Sequence, residues 1–173
     1  SVSLSPSPSL PFSLSLSHSL SHSVCPQLTR TLSLERCDLV NECREAAIIE
    51  AGESTAVVFG CCIHDGKGAG VHVCAGSKAT LENNDIRCNA LSGVTITDAG
   101  SVAVLRGNRV HDGKESGVWV CAGGFATLDN NDIYSNEHAC VQIDDAGSEA
   151  ILRSNRIYDG RTGGVLIANK GNG

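Results

Sequence analysis

The chain of 173 residues carries 13 Lys and Arg against 19 Asp and Glu, giving a formal net charge of -6, and only 3% of its residues are aromatic. An acidic chain without a basic stripe argues against a protein that binds nucleic acid through its phosphates. No apolar run reaches the roughly 20 residues of a membrane-spanning helix, so we expect neither a nucleic-acid nor a membrane partner.

Residues 1–30 form a low-complexity segment in which Ser alternates with Leu, Pro and His. The segment lacks the basic start and the continuous apolar core of a secretory signal. We interpret it as a disordered tail, and a translated simple repeat is its plainest explanation. A loosely docked strand and a phosphorylatable regulatory tail are the alternatives.

From residue 31 to residue 173 the composition changes and a repeat of 23 or 24 residues takes over. Its central aliphatic residues are Leu39, Ile63, Ile86, Val110, Ile133 and Ile157. Within each unit the apolar residues are spaced two apart, as in a β-strand, and Gly, Asn and Asp separate the short segments. A fixed period of this length indicates a solenoid. We therefore predict an all-β fold, a single-stranded right-handed parallel β-helix of about six coils stacked at strand spacing.

A column of Asn residues lies two positions before the central aliphatic residue. Its members are Asn84, Asn108, Asn131 and Asn155. Stacked Asn side chains can hydrogen-bond along a rod while their backbone tolerates a left-handed turn, so we expect a structural ladder. Cys37 and Cys61 occupy the equivalent positions of the first two coils, which leaves the ladder incomplete at that end.

The nine cysteines include no C-x-x-C pair, which argues against a zinc ribbon, and we predict no metal site and no cofactor. Cys37 and Cys61 fall in one column on adjacent coils, near enough in principle for a disulfide. We favour free thiols in a reducing compartment, and hence an intracellular protein of the cytoplasm or nucleus.

Trp119 is the only Trp, and it lies between two Val residues that are expected to point inward. Its side chain is therefore expected to point outward. The partner-binding candidates on that outer column are Trp119, His72, Thr95 and Gln142. An outward Trp on a flat sheet suits contact with a protein or a sugar. The alternative is that Trp119 packs against a turn of its own or a neighbouring coil.

Two turns with the sequence His-Asp-Gly-Lys begin at His64 and His111, which are 47 residues apart. General acid–base chemistry with Lys67 and Lys114 is one hypothesis, and a partner-binding ridge is another. We favour plain repeat turns in which the Gly accepts positive φ, because adjacent residues rarely face one another. Equivalent sets would also lie about 10 Å apart, two coils along the rod.

An acidic column on alternate coils contains Glu50, Asp98 and Asp145. Such a column could form a weak Ca²⁺ site, but the acids are spread out and a solvated turn is the favoured interpretation. An active site would be a unique break in the repeat, and the repeat shows none. We therefore predict no catalytic residues and no enzyme activity; if there were one, it would be that of a polysaccharide lyase or epimerase.

Residues 81–86, 105–114 and 151–160 carry the pattern L-x-x-N-x-I followed by a turn. Together with the later G-V-x-V motif, this pattern resembles the β-helix repeats of one subfamily of F-box-only proteins. The same repeat class is shared more loosely with periplasmic copper-site maturation proteins and with polysaccharide lyases and epimerases. The resemblance covers residues 32–171.

The resemblance implies the substrate-recruiting arm of a cullin-type ubiquitin ligase, in which an F-box binds the ligase adaptor and the β-helix carries the target. The residues before Leu32 hold no F-box. We therefore expect a non-catalytic scaffold whose partner is a ubiquitination substrate or a ligase subunit, with further coils following in the full protein. The alternative is a carbohydrate-binding or pectate-lyase-like β-helix.

Overall fold

The computed structural model describes residues 31–40, 47–50 and 54–168. These residues form eighteen β-strands and no helix, which confirms the predicted all-β fold. A helix of the length and apolarity needed to cross a membrane is accordingly absent from the described ranges. The predicted tail at residues 1–30 lies outside them.

The strands form three parallel sheets of six strands each. The first sheet contains β1 (Thr31–Glu35), β4 (Thr55–Phe59), β7 (Lys78–Glu82), β10 (Val102–Arg106), β13 (Phe125–Asp129) and β16 (Glu149–Arg153). The second contains β2 (Asp38–Val40), β5 (Cys62–His64), β8 (Asp85–Arg87), β11 (Arg109–His111), β14 (Asp132–Tyr134) and β17 (Arg156–Tyr158). The third contains β3 (Ala47–Glu50), β6 (Val71–Cys74), β9 (Val94–Thr97), β12 (Val118–Cys121), β15 (Ala139–Asp144) and β18 (Gly163–Ala168).

Every coil contributes one strand to each sheet and pairs in register with the coils on either side. Ala103 pairs with Ala126 and Leu105 with Leu128, for example, so equivalent residues of the repeat lie side by side. Because the side chains of a strand alternate between its two faces, each strand has an inward and an outward set. The arrangement is the predicted parallel β-helix.

The interior consists of stacked aliphatic columns, one or two from each sheet. Ala103, Leu105, Val110, Val118 and Val120 are the members from one coil, and all five have no exposed surface. The equivalent residues of the last described coil are exposed: Val165 is 48% exposed and Ile167 is 76% exposed. A core residue is buried by the coil that precedes its own and by the coil that follows it. Within the described residues no coil follows the one that contains Val165 and Ile167.

The Asn side chains form a continuous hydrogen-bonded column at the corner between the first and second sheets. Asn108 Oδ1 accepts hydrogen bonds from both the backbone N–H and the side-chain Nδ2 of Asn84, each at 2.9 Å. Asn108 Nδ2 in turn donates to Leu81 O at 2.8 Å and to Asn131 Oδ1 at 3.0 Å. Asn131 repeats the arrangement with Asn155. The column satisfies backbone groups that the turn between two sheets would otherwise leave buried without partners.

At the first end of this column Cys61 takes the place of Asn. Its backbone N–H donates to Asn84 Oδ1 at 2.9 Å, while its own Sγ accepts the backbone N–H of Cys37 at 3.3 Å. The two cysteines are free thiols. Burial raises the pKa of the Cys61 thiol to about 11, so this sulfur is a neutral and weakly polar substitute for the amide.

We predict that Asn108→Ala lowers the free energy of unfolding by about 3 kcal/mol, because it leaves several buried donors and acceptors without partners at roughly 1–3 kcal/mol each. The measurement is chemical denaturation. The control is Val104→Thr on the outward face of β10, where the paired residues Thr80 and Thr127 already have this side chain. The control is expected to change stability by less than about 0.5 kcal/mol. Equal effects of the two substitutions would contradict a special role for the column.

Candidate functional site

The outward column of the third sheet brings together the four residues predicted as partner contacts. Thr95 pairs with His72 on one side and with Trp119 on the other, and Trp119 pairs with Gln142. We call these four residues the Trp119 face. Residues 23 or 24 apart in the chain thus become neighbours at the strand spacing of about 4.8 Å.

The indole of Trp119 is half-buried and held by a buried carboxylate of the next coil. Trp119 Nε1 donates to Asp144 Oδ2 at 3.1 Å, and Gln142 Nε2 donates to the same oxygen at 2.8 Å. Ser116 Oγ donates to Gln142 Oε1 at 2.6 Å. Asp144 has no exposed surface. Charge-assisted hydrogen bonds in such a setting are strong, so Trp119 and Gln142 have fixed orientations. From the sequence, Asp144 is a possible member of the acidic edge beside Asp145; its contact with Trp119 was not predicted, because it depends on the stacking of two coils.

A shallow groove of about 260 Å³ runs along this face. Its walls include Leu91, Thr95 and Trp119, and His72 and Glu115 also line it. The side chain of Leu91 is 41% exposed. His72 Nε2 is buried and has no hydrogen-bond partner within the described residues. The exposed surface of the groove is therefore mainly apolar.

The acidic column does not form a cluster. Asp98 Oδ2 accepts the backbone N–H of Ala75 at 3.0 Å, and Asp145 Oδ2 accepts that of Ala122 at 3.4 Å. Asp98 and Asp145 are two coils apart, about 10 Å on the strand spacing, too far for one ion. Each carboxylate caps a turn of the preceding coil, and the side chain of Glu50 lies outside the described residues.

The two His-Asp-Gly turns differ from the sequence-based expectation in two respects. Asp65 and Asp112 themselves have positive φ, at 54° and 55°, and the following Gly residues do not. The expectation that Gly accepts the positive φ is therefore wrong, since Asp also tolerates the left-handed region. The following Gly instead donates its N–H to an Asn of the next coil: Gly113 N–H donates to Asn136 Oδ1 at 3.1 Å.

Adjacent His and Asp residues do face one another in these turns, which corrects the second expectation. The distance from His64 Nδ1 to Asp65 Oδ2 is 2.6 Å, and from His111 Nδ1 to Asp112 Oδ2 it is 2.7 Å. The left-handed turn at the Asp folds its carboxylate back onto the preceding ring. Lys114, suggested as a catalytic partner, instead pairs with Glu137 of the next coil at 2.8 Å.

The outward face of the second sheet carries a polar and aromatic array, whose stacking was not predicted although His111 was a candidate from its turn. His111 stacks on Tyr134 with ring centroids 4.7 Å apart, and Tyr134 stacks on Tyr158 at 5.1 Å. Beside them Arg109 donates to the Tyr134 hydroxyl at 3.0 Å. The signal in the sequence was the 47-residue and 23-residue spacing of these residues, which the parallel register converts into contact.

Asp85 is the charged centre of this face. Its carboxylate accepts from His111 Nε2 at 3.0 Å and from Arg87 at 2.9 Å. Partial burial by itself would raise the pKa of Asp85, but the hydrogen bond from His111 and the charges of Arg109 and Arg87 outweigh it. The pKa of Asp85 is consequently below its usual value.

At the start of the same sheet, Asp38, Cys62 and His64 bring oxygen, sulfur and nitrogen ligand atoms within 4.8 Å of one another. His64 Nε2 lies 2.9 Å from Asp38 Oδ1. The sequence predicts no metal site, and this group is not visible in it because Asp38 and Cys62 become neighbours only through the pairing of β2 with β5.

Comparison with known proteins identifies the repeat. A family model described as a right handed beta helix region matches residues 46–173, about three quarters of the chain. No curated protein matches the sequence. No solved structure matches it either.

We predict that Asp85→Asn lowers stability by no more than about 1 kcal/mol at pH 5, since the carboxylate is partly exposed and screened. A carboxyl whose pKa is lower in the folded state contributes stability above its unfolded pKa of about 3.9, and this contribution is lost as the pH falls through the folded pKa. The difference from the unsubstituted protein should therefore shrink between pH 5 and about pH 2.5.

The measurement is the denaturation midpoint at both pH values. Asp129→Asn serves as the matched control, because the carboxylate of Asp129 has no ion pair within the part of the chain that the structure describes. A difference for Asp85→Asn that persists at the lower pH would show that the loss comes from packing and not from charge.

Proposed function

Since the chain belongs to the right-handed β-helix family, we propose that it is a non-catalytic scaffold that binds a protein partner. The observation that carries this proposal is the Trp119 face with its groove. A rigid rod of stacked coils presents such a face without having to order it first, which reduces the entropic cost of binding.

The chemistry of the groove indicates an extended peptide segment as the bound part of the partner. Trp residues fixed in position are frequent centres of binding energy, and Trp119 is held by Asp144. The adjacent Leu91 adds exposed apolar surface. The groove volume of about 260 Å³ suits a single apolar side chain with its backbone.

Two observations support a binding role over catalysis. The His-Asp pairs recur two coils apart, at His64 and His111, whereas a catalytic centre is a single constellation. Both ring nitrogens of each His also face a carboxylate oxygen, at 2.6 and 2.9 Å for His64 and at 2.7 and 3.0 Å for His111. Neither ring nitrogen is left to take a proton from a substrate.

The aromatic rings of the second sheet argue against the carbohydrate alternative. Sugars pack on the open face of an aromatic ring, as other apolar groups do. Tyr134 lies between His111 and Tyr158, so its ring faces are covered by its neighbours. Arg156 lies over the ring of Tyr158 at 5.4 Å.

The finer proposal is that this scaffold recruits substrates for a cullin-type ubiquitin ligase inside the cell. Its support is the resemblance of the L-x-x-N-x-I repeats to those of F-box-only proteins. The protein partner is then either a ubiquitination substrate held on the Trp119 face or a ligase subunit.

The peptide-binding proposal predicts that short peptides selected from a displayed random library bind the full chain through Trp119. Trp119→Ala should weaken their binding by about 30-fold, corresponding to the roughly 2 kcal/mol of a binding hot spot. Fluorescence anisotropy measures the change. The matched control is Val57→Ala on the exposed face of the first sheet, which should leave binding unchanged. Peptides that bind the Trp119→Ala protein equally well, or selective binding to a polyuronate array, would overturn the proposal.

The ligase proposal predicts that proximity labelling from the full-length protein in cells enriches cullin and ligase-adaptor subunits. Trp119→Ala should keep these subunits and lose the labelled substrates, because the two kinds of partner use different parts of the protein. Enrichment of no ligase subunit would reject the ligase role while leaving the peptide-binding proposal to its own test.

A further inference from the structure

We propose that Asp38, Cys62 and His64 form a binding site for a zinc ion at the N-terminal end of the second sheet. Nothing in this proposal depends on the peptide-binding function of the Trp119 face. Its starting point is the placement of three different ligand atoms, a carboxylate oxygen, a thiol sulfur and an imidazole nitrogen, within 4.8 Å of one another.

The strand geometry explains why these three side chains converge. Cys62 and His64 are two apart in β5, so both point outward from the same face of the sheet. Asp38 pairs directly with Cys62 in the parallel register of β2 and β5. The neighbouring Cys61 is buried and points inward, so it is not part of the group.

The separations suit a tetrahedral zinc site. Zinc bonds of about 2.0–2.3 Å to nitrogen, oxygen and sulfur place the ligand atoms roughly 3.5 Å apart. The distance from His64 Nε2 to Asp38 Oδ1 is 2.9 Å, so a small rotation of the exposed Asp38 side chain makes room for the ion. Asp38 is 69% exposed, which leaves the fourth position open to water. A mixed set of nitrogen, oxygen and sulfur ligands favours Zn²⁺ over the hard cations Ca²⁺ and Mg²⁺.

Asp65 orients the imidazole for this role. The distance from His64 Nδ1 to Asp65 Oδ2 is 2.6 Å, so the proton on Nδ1 is donated to that carboxylate. Nε2 lies 2.9 Å from Asp38 Oδ1, and zinc would take the place of the proton shared between these two atoms. Metal-bound His residues typically donate their other N–H to a carboxylate in this way, which fixes the tautomer and strengthens the ligand.

The surrounding charges favour a divalent cation. Asp38 and Asp65 carry two negative charges, and Cys62 adds a third when zinc displaces its proton. Arg87 donates an N–H to Cys62 Sγ, and it also pairs with Asp85. A donor outside the coordination shell is compatible with a thiolate that binds metal.

The repeat supplies an internal comparison two coils further along. There His111 contacts two carboxylates at the equivalent repeat positions, Asp112 through Nδ1 and Asp85 through Nε2. The position of Cys62 is taken by Arg109. A guanidinium cannot ligate zinc and repels a cation, so the second set keeps the hydrogen bonds and lacks the metal ligand. The Cys at position 62 is therefore the difference that converts a structural turn into a metal site.

The test titrates the full chain, reduced and freed of metal, with Zn²⁺ by calorimetry. One ion per chain should bind, and Cys62→Ser, His64→Gln or Asp38→Asn should each weaken binding by at least tenfold. Asp65→Asn should weaken it by about 10–100-fold through the orientation of His64. Asp112→Asn makes the same change in the comparison turn, and Asn tolerates the same positive φ, so it should leave the affinity unchanged.

Titration with Co²⁺ identifies the sulfur ligand through the thiolate-to-metal absorption band. The band should disappear in Cys62→Ser and persist in Cys88→Ser, which removes an exposed thiol on the next coil that is not among the three proposed ligands. Thermal unfolding of the metal-free variants checks that each is folded. Absence of Zn²⁺ binding, or binding that Cys62→Ser and Asp65→Asn leave unchanged, would overturn the proposal.

Discussion

The parallel in-register stacking of the coils is the constraint on which the rest of the structure depends. Every backbone group of a coil must find its partner on the coil above or below, and at the corner between the first two sheets the Asn column supplies those partners. A buried amide that both donates and accepts can repeat indefinitely along a rod, which an aliphatic side chain cannot. Cys61 shows how the column ends, with a buried thiol in place of the amide.

Because the interior is fixed by this stacking, variation is confined to the outward positions. Equivalent outward residues of successive coils are about 4.8 Å apart, so a column of unlike residues becomes a surface with its own chemistry. On the third sheet the column places Trp119 beside Thr95 and Gln142. On the second it stacks His111 on Tyr134. The proposed peptide groove and the proposed zinc site are thus two outcomes of one architecture.

The duplication of coil pairs gives the protein matched sites that differ at one position. His64 and His111 each contact two carboxylates at equivalent repeat positions. Two residues before the His, the first site has Cys62 and the second has Arg109. These hydrogen bonds stabilise both turns alike. The proposed difference in zinc binding therefore comes from the residue at position 62 or 109. Position 62 can therefore acquire a chemical role without disturbing the turn that carries it.

The sequence by itself determined the solenoid, its strand period and the membership of the Asn column, because a 23- or 24-residue repeat leaves only one register in which like residues stack. It also predicted that Trp119 points outward with His72 and Thr95 on the same column. Only the tertiary structure decided which polar groups meet. The anchoring of Trp119 by Asp144 is a diagonal contact between coils. The left-handed conformation of Asp65 and the approach of Asp38 to His64 are likewise set by turn and strand geometry. Periodicity reports which residues share a column, whereas the direction and reach of a side chain depend on backbone angles and neighbouring coils that no spacing rule contains.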